Sequence, residues 1–437
     1  MAHFHAGQQN ALTKLLREFR INESGYFGPW EGAAVEAFQN QISKASPWKE
    51  YLTEFDVLRI IISRLYRFKS RLPENFSGLL NSLPDEKLLP DIESDIRNYF
   101  ESIPRPYFVF FPLPQWPSLG IADFKLGDGI SIIDTSITDD SQPEDVPKNA
   151  LSGVFAGGAN SLQLKFGARY LKLSAIGYCY SSIDSGPFGS AFADLKQFLF
   201  FGITTGLFHF KSHPLAARLI PFKESVPNVF VRHQDRSEDE KISIDLPLEM
   251  ADYLNKLRIN EERLEVWTSN GPSLLSGELV KANTDSEKLQ ALSRSLSTAC
   301  SFIKLPQNDS DIERVRTAIQ WYMDAETTQN QAISFLQRCI GLEAILGSEN
   351  ESKERGITDR LSDRFAYLIG KTQSERVKIK KDFVDVYGRR SDIVHSRVAR
   401  LQPAHYGASI KAEFMLLKCC EKEINTLLKL KQDKADR

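Results

Sequence analysis

The sequence contains no apolar run close to the roughly 18–20 residues that a membrane-spanning helix needs. Its nearest approach is Phe198–Phe210, FLFFGITTGLFHF, which is too short and follows Asp194 and Lys196. The opening stretch, MAHFHAGQQNALTKLLREF, lacks the basic-then-apolar layout of a secretory leader, so a cytoplasmic protein with no membrane partner is expected. Cysteine is scarce. The five residues Cys179, Cys300, Cys339, Cys419 and Cys420 are odd in number and irregularly spaced, which argues against a disulfide framework or a zinc ribbon. Cys339 and the Cys419–Cys420 pair lie in helical patterns and read as small buried thiols. Net charge is nearly absent too: 55 basic and 57 acidic side chains in 437 residues leave −2. As a total, that gives no sign of a nucleic-acid binder, which is usually basic.

Sequence signatures of common cofactor chemistry are also missing. There is no GxxxxGK[ST] phosphate loop (GLEAILG, residues 341–347, has glycines but no lysine), no GxGxxG after a strand, no HExxH and no paired CxxC. No cofactor and no metal is therefore expected. Of the seven histidines, His209 and His213 are four apart and would share a face if helical, but Pro214 follows and no carboxylate cluster accompanies them.

What is present divides the chain in two. At 437 residues, two or three domains are expected, and 42% hydrophobic with 26% charged residues is ordinary for a globular protein. Residues 1–103 read as mainly helical; EYLTEFDVLRIIISRLYRF places Leu52, Phe55, Leu58 and Ile62 on one expected buried face. Residues 104–305 read as strand-rich: YFVFF, a hairpin FKLGDGISII turning at Asp128–Gly129, SLQLKFGARYLKLSAIGYCY, NVFVRH and ISIDLPL. Within that block, SAFADLKQFLFFGITTGLF reads as a buried helix and Thr135–Asn149 as an exposed acidic loop. The block 1–305 is thus an α+β region. LPQNDSD then reads as a linker or helix start, and 306–437 as an all-α bundle of four amphipathic helices. The first is a long segment, Ile312–Leu346, with two adjoining stripes: Ile333, Leu336, Ile340, Ala344 and Phe335, Cys339, Leu342, Leu346. The second carries Ile357, Leu361, Phe365 and Leu368; the third runs from about Ser374 to beyond Val394. The fourth follows Pro403 with Ile410, Phe414, Leu417, Cys420, Ile424 and Leu427 on one face.

The chemistry-bearing segment is KDFVDVYGRRSDIVHS, Lys381–Ser396, with Arg390 and His395 separated by four residues. That pair suits RNA cleavage without a metal. A 2′-hydroxyl must lose a proton, the leaving 5′-oxygen must gain one, and the phosphorane carries extra negative charge. Histidine moves protons near neutral pH; arginine offers a permanent fork of donors to phosphate oxygens. The spacing alone is weak, since it recurs at Arg400 and His405 across Pro403. On an ideal helix Arg390 and His395 lie about 140° apart, at 100° per residue. Either the helix is distorted near His395, or a site combines residues from two copies of the chain, which favours a dimer across this face.

Residues from about 312 to 430 resemble the HEPN domain (higher eukaryotes and prokaryotes nucleotide-binding), in its Apea-like branch. Three features in order carry the resemblance: FLQRCIGLEAILG with Leu342–Glu343, ITDRLSDRFAYLIG, and VYGRRSDIVHS. It implies a homodimerising four- or five-helix bundle and, in many members, a metal-independent endoribonuclease with a site composed across the dimer. Residue by residue, Arg390 and His395 are then the catalytic pair, Ser391 the polar position after the arginine, Tyr387 the aromatic position before it, and Glu343 the acidic residue of the first-helix motif. Ser396 stands where glycine is common, and Asp392 adds a negative charge beside the site. Some HEPN domains are inactive scaffolds. Bacterial members of this branch are often linked to antiphage defence, where the ribonuclease acts as a toxin in abortive infection. The N-terminal region carries no resemblance to a nameable family; by its position it is expected to sense or regulate, with a phage-derived trigger as its partner. The alternatives are a non-catalytic dimerising scaffold that binds nucleic acid or protein, and an enzyme with its site in residues 1–305.

The charge total then divides. Residues 311–437 hold 23 basic and 19 acidic side chains, so the acidic excess lies upstream. Residues 376–400 hold eight basic side chains against Asp382, Asp385 and Asp392. Lys380, Lys381, Arg389 and Arg397 are the candidate RNA-binding residues of that patch, which predicts salt-sensitive RNA binding in the C-terminal third.

Overall fold

The computed structural model describes residues 3–28, 31–73, 76–113, 116, 120–134, 169–178, 186–210, 228–233, 241–269, 277–306, 309–347, 356–396 and 401–435. The chain divides into two compact units. The first comprises Met1–Val109, Leu173–Phe192 and Phe230–Ile244; the second comprises Phe110–Lys172, Ala193–Val229 and Asp245–Arg437. The class is mixed among the described residues, with helices and strands as far as residue 281 and helices alone from residue 285.

In the first unit, side chains start two of the four leading helices. His5 caps α1 (Ala6–Glu18) and Thr53 caps α3 (Glu54–Arg67), each in a reciprocal capping box. With α2 (Ala33–Ser43) and α4 (Leu88–Glu101) they enclose Phe19, Phe38, Trp48 and Phe100, all fully buried. The Trp48 indole N–H donates to the Phe100 carbonyl at 2.7 Å. Three two-residue strands, β1 (Arg20–Ile21), β2 (Phe27–Gly28) and β3 (Gly78–Leu79), form an antiparallel sheet of order β2-β1-β3. The apolar face expected on α3 is displaced. Leu52 precedes the cap, Phe55 is 65% exposed, and the buried set is Val57, Ile60, Ile61 and Leu65. Arg64 shares that face, because Asp95 receives its Nε and Nη2 at 2.7 and 2.6 Å and so balances a buried charge.

The expected strands are β4 (Arg105–Pro112), β5 (Asp123–Gly127), β6 (Ile130–Asp134), β7 (Arg169–Gly177), β9 (Asn228–His233) and β10 (Lys241–Asp245); β8 (Phe208–Phe210), which begins in the segment expected to be helical, and β11 (Leu257–Ile259), β12 (Glu265–Ser269) and β13 (Gly277–Lys281) are strands that the sequence pattern does not mark. Strands β4, β7, β9 and β10 each have residues in both units. In the first unit the strand order is β10-β9-β4-β7; in the second it is β4-β7-β6-β5. The hairpin expected at Asp128–Gly129 is β5–β6, with Phe124 opposite Ile132 and Gly129 at φ 73°, a left-handed turn position. Antiparallel pairs β8–β11 and β12–β13 complete the second unit's strands. His209 lies on β8 opposite Arg258, so it is on a strand and not on the helical face considered above, and His213 lies outside the described residues. The loop Thr135–Asn149 does too.

The buried helix expected near residue 190 is α5 (Gly186–Thr204), and α6 (Leu248–Lys256) follows β10. Within the second unit, Phe198 of α5 packs with Trp116 and Phe208 at centroid separations of 6.3 and 5.7 Å. The Phe208 ring lies directly on Gly202: a β-carbon there would come within 2.0 Å of it.

Among the described residues, five helices follow α7 (Asp285–Ile303): α8 (Ser310–Thr327), α9 (Gln331–Leu346), α10 (Ile357–Ile369), α11 (Gln373–Ser396) and α12 (Pro403–Ala435). The single long helix expected over Ile312–Leu346 is therefore two helices. Asn330 ends the continuity: its side chain accepts from the N–H groups of Ala332 and Ile333 and starts α9. Of the two stripes on α9, Phe335, Cys339, Leu342 and Leu346 are buried, and Ile333 is exposed. On α10, Leu361 and Phe365 are buried, but Ile357 is exposed. On α12 the expected face is also rotated. Ile410 and Phe414 are exposed, and Ala408, Ala412, Met415, Leu416, Cys419, Cys420 and Ile424 are buried. Small residues permit the close approach, since a β-carbon on Gly341 of α9 would meet Leu416 at 2.8 Å. The junction at 303–306 is fixed by Arg316 of α8, which donates to the carbonyls of Ile303, Leu305 and Pro306 at 2.7–3.4 Å.

Gly202→Ala separates two opposing effects. Alanine favours a helix by about 1 kcal/mol over glycine, but the new methyl collides with a packed ring. Overpacking of this kind costs roughly 1–3 kcal/mol and more at such short range. Denaturant unfolding is expected to show a net loss of about 1 kcal/mol or more; a stabilised variant would contradict the packing.

Candidate functional site

Helix α11 carries most of the site. Thr372 and Glu375 start it with a reciprocal box: the Glu375 N–H donates to the Thr372 hydroxyl, and the Thr372 N–H donates to the Glu375 carboxylate. Phe383, Val386, Tyr387 and Ile393 form its buried face. The Tyr387 ring stacks on Phe383 at 4.6 Å, and Phe383 lies 5.7 Å from Phe365 of α10.

Arg390 follows Tyr387 by three residues, on the margin of that face. Its Nη2 lies 3.1 Å from Oε1 of Glu343 on α9; the two side chains are 33% and 27% exposed. Its Nε–H is buried and has no acceptor among the described residues. The Tyr387 hydroxyl donates to the Cys339 carbonyl at 3.4 Å. Burial pushes the Tyr387 phenol far above its ordinary range, and the charge of Glu343 pushes the same way. Burial also raises the Cys339 thiol, to about 12, with the Arg390 guanidinium pulling downward against it. Glu343, Tyr387 and Arg390, proposed separately from the sequence, are thus one cluster between α9 and α11.

His395 and Ser391 are not part of that cluster; both are exposed on the adjoining face of α11. The helix is unbroken through Ser396, so no distortion brings His395 round to Arg390. The ideal-helix separation of about 140° holds. The second R-x4-H copy is explained by local structure. His405 is buried, and its Nδ1 accepts the Gln402 N–H at 3.1 Å, which makes it a cap of α12.

The expected basic patch is partly committed. Lys380 pairs with Asp363 of α10, and Arg389 with Asp392 at 3.4 Å. Lys381 is exposed, and Arg397 lies outside the described residues. The sequence reading missed Lys411 of α12, which reaches Asp382 at 2.7 Å and Asp385 at 3.5 Å and offsets two of the patch's three carboxylates. No local signal in the sequence marks that pairing. Cys300, Cys339, Cys419 and Cys420 are free and buried. Among the described residues, no group of three or more His, Cys, Asp or Glu side chains is placed to hold a metal ion, and no helix is long and apolar enough to cross a membrane.

The buried phenol makes a pH prediction. A tyrosine unfolds into water with a pKa near 10 and stays protonated in the fold. Its contribution to stability is therefore complete below pH 10 and is lost as pH rises above it, by about 1.4 kcal/mol per pH unit. Tyr170, Tyr253 and Tyr322 are raised in the same direction, each by burial, so they add to the alkaline slope. Unfolding free energies measured from pH 9 upward should fall steeply above pH 10, and Tyr387→Phe should remove about one proton's share of that slope. An unchanged slope in the variant would mean that Tyr387 ionises freely in the fold.

The chain matches no family model, no curated protein and no solved structure.

Proposed function

We propose that this chain is a metal-independent endoribonuclease of the HEPN type, with Arg390 and His395 as its catalytic pair and a homodimer as its working form. One observation carries the reading. Glu343 holds Arg390 at the bundle surface, and His395 stands exposed further along the same unbroken helix. Arg390 binds the non-bridging oxygens of the scissile phosphate and stabilises the phosphorane. His395 accepts the proton of the 2′-hydroxyl. The 2′-oxygen bonds to phosphorus, the bond from phosphorus to the 5′-oxygen breaks, and that oxygen takes up a proton from water, while His395 returns the proton it accepted to solvent. The products are a 2′,3′-cyclic phosphate and a free 5′-hydroxyl. Because one helix presents the two side chains about 140° apart, Arg390 of one protomer works with His395 of the other. Tyr387 supports the turn of helix that carries the arginine, Ser391 is the polar residue exposed beside it, and Lys381, Arg389 and Arg397 attract the RNA backbone. The biological role is that of a cytoplasmic toxin in antiphage defence, with the N-terminal region as its sensing or regulatory part.

One observation favours a second reading, a non-catalytic dimeric scaffold: Glu343 already neutralises Arg390. RNA cleavage in EDTA decides between them. The ribonuclease reading expects cleavage by the purified protein with cyclic phosphate ends. Activity should drop about 10²–10⁴-fold in His395→Ala and about 10²–10³-fold in Arg390→Ala, with unchanged circular dichroism. Full activity in both variants would remove these residues from the site, and an inert wild-type protein would favour the scaffold.

A further inference from the structure

Glu343 meets Arg390 at a particular end of the guanidinium. An arginine offers two edges that grip a carboxylate or phosphate at two points: Nε with Nη2, and Nη1 with Nη2. On Arg390 the Nε–H is shut off from solvent and has no acceptor among the described residues. An arriving phosphate therefore meets the Nη end of the side chain. Glu343 already stands there, with Oε1 3.1 Å from Nη2, the nitrogen that both edges share. Among the described residues Arg390 forms no other ion pair. Glu343 is likewise held by no second cation among them: Arg338, the one other cation on its helix α9 side of the contact, reaches Glu326 and Glu413 instead, at 2.8 and 3.1 Å.

A carboxylate that only aimed the arginine would hold the Nε edge and leave the Nη end to the substrate. Glu343 sits at the Nη end and leaves Nε without an acceptor. Nor is the pair a strong bolt between helices: its side chains are 33% and 27% exposed, so water screens their attraction. Opening it costs little, because the freed carboxylate turns to solvent and a phosphate takes its place on the guanidinium. While the carboxylate stays, a phosphate at the Nη end faces a like charge at close range. The Tyr387 ring, stacked on Phe383 at 4.6 Å, secures the turn of α11 beneath the arginine in either state.

We infer that Glu343 is a latch on Arg390: it occupies the Nη end in the free protein, and a phosphate of the bound RNA strand displaces it. The free protein then binds RNA more weakly than an unlatched Arg390 would allow. The inference rests on the reading of Arg390 as the phosphate-binding residue and adds a regulation of that site.

The test is a double-mutant cycle on binding, with full-length protein and the fluorescence anisotropy of a labelled 2′-O-methylated oligouridine. That strand has no 2′-hydroxyl to attack, so it is bound without being cut. Glu343→Gln keeps the size of the side chain and removes its charge; it should tighten binding about twofold to fivefold. The same substitution in an Arg390→Ala protein should leave the affinity unchanged, because the latch then has nothing to hold. Melting temperatures report whether each variant folds, and Glu343→Ala carries the same expectation should the glutamine variant fail to fold. Unchanged or weaker binding on loss of the carboxylate, the result expected of a residue that only aims the arginine, overturns the inference. So does equal tightening in both backgrounds, the result of a general loss of negative charge, and so does a chain that binds the strand in no variant. Cleavage is not measured, so the two readings fail separately. A protein that shows the coupling but cuts no RNA keeps the latch and loses the ribonuclease; an active ribonuclease without the coupling loses the latch alone.

Discussion

The ion pair between Glu343 and Arg390 joins the first-motif helix α9 to the helix α11 that carries the other described candidate residues of the site. Both partners are about one-quarter to one-third exposed, so solvent screens the attraction and the pair adds little to stability. Its consequence is geometric. A guanidinium on the margin of an apolar face has many rotamers, and a carboxylate on the neighbouring helix selects one. Below it, the stack of Tyr387 on Phe383 fixes the turn of α11 from which Arg390 projects. The same pairing has a cost for phosphate binding, because Glu343 offsets the charge it positions. An incoming phosphate has to compete with the carboxylate or be reached by the donors that Glu343 leaves unused.

Helix regularity sets the second constraint. An arginine and a histidine five positions apart serve one phosphate only if the backbone bends or if two helices meet. Since α11 stays regular through Ser396, a catalytic role for both residues entails a second copy of the chain. Activity and oligomeric state are then one question.

Much of this was legible in the sequence, and the failures have a common cause. Periodicity located the hairpin at Asp128–Gly129, the helix near residue 190 and α10 to α12, because apolar repeats and turn residues are local signals; it marked neither α6 and α7 nor the short strands β8 and β11 to β13. Choosing which of two neighbouring stripes faces inward depends on partners distant in sequence. Phe55 is expected inside, but α3 buries Val57, Ile60, Ile61 and Leu65 together with Arg64, whose charge is matched by Asp95, 31 residues away. Ile410 and Phe414 were expected inside, but Ala408, Ala412 and Gly341 let α9 and α12 approach closely on another side. The break at Asn330 had a local signal, a capping side chain, masked by an apolar pattern that continues on both sides of it. At the site, the sequence named Glu343, Tyr387 and Arg390 individually, and the fold made them one cluster. It gave no hint that Lys411 offsets Asp382 and Asp385, because that contact exists only once α11 and α12 pack.

The central claim is that Arg390 of one protomer acts with His395 of another, and subunit mixing tests it most directly. Arg390→Ala and His395→Ala proteins, each inactive alone, are unfolded together, refolded and assayed on RNA in EDTA. In a two-fold dimer, each mixed pair holds one site with both residues intact, so a random mixture should recover about a quarter of wild-type activity. A mixture as inactive as its components, with mixed dimers verified by mass, would contradict the account.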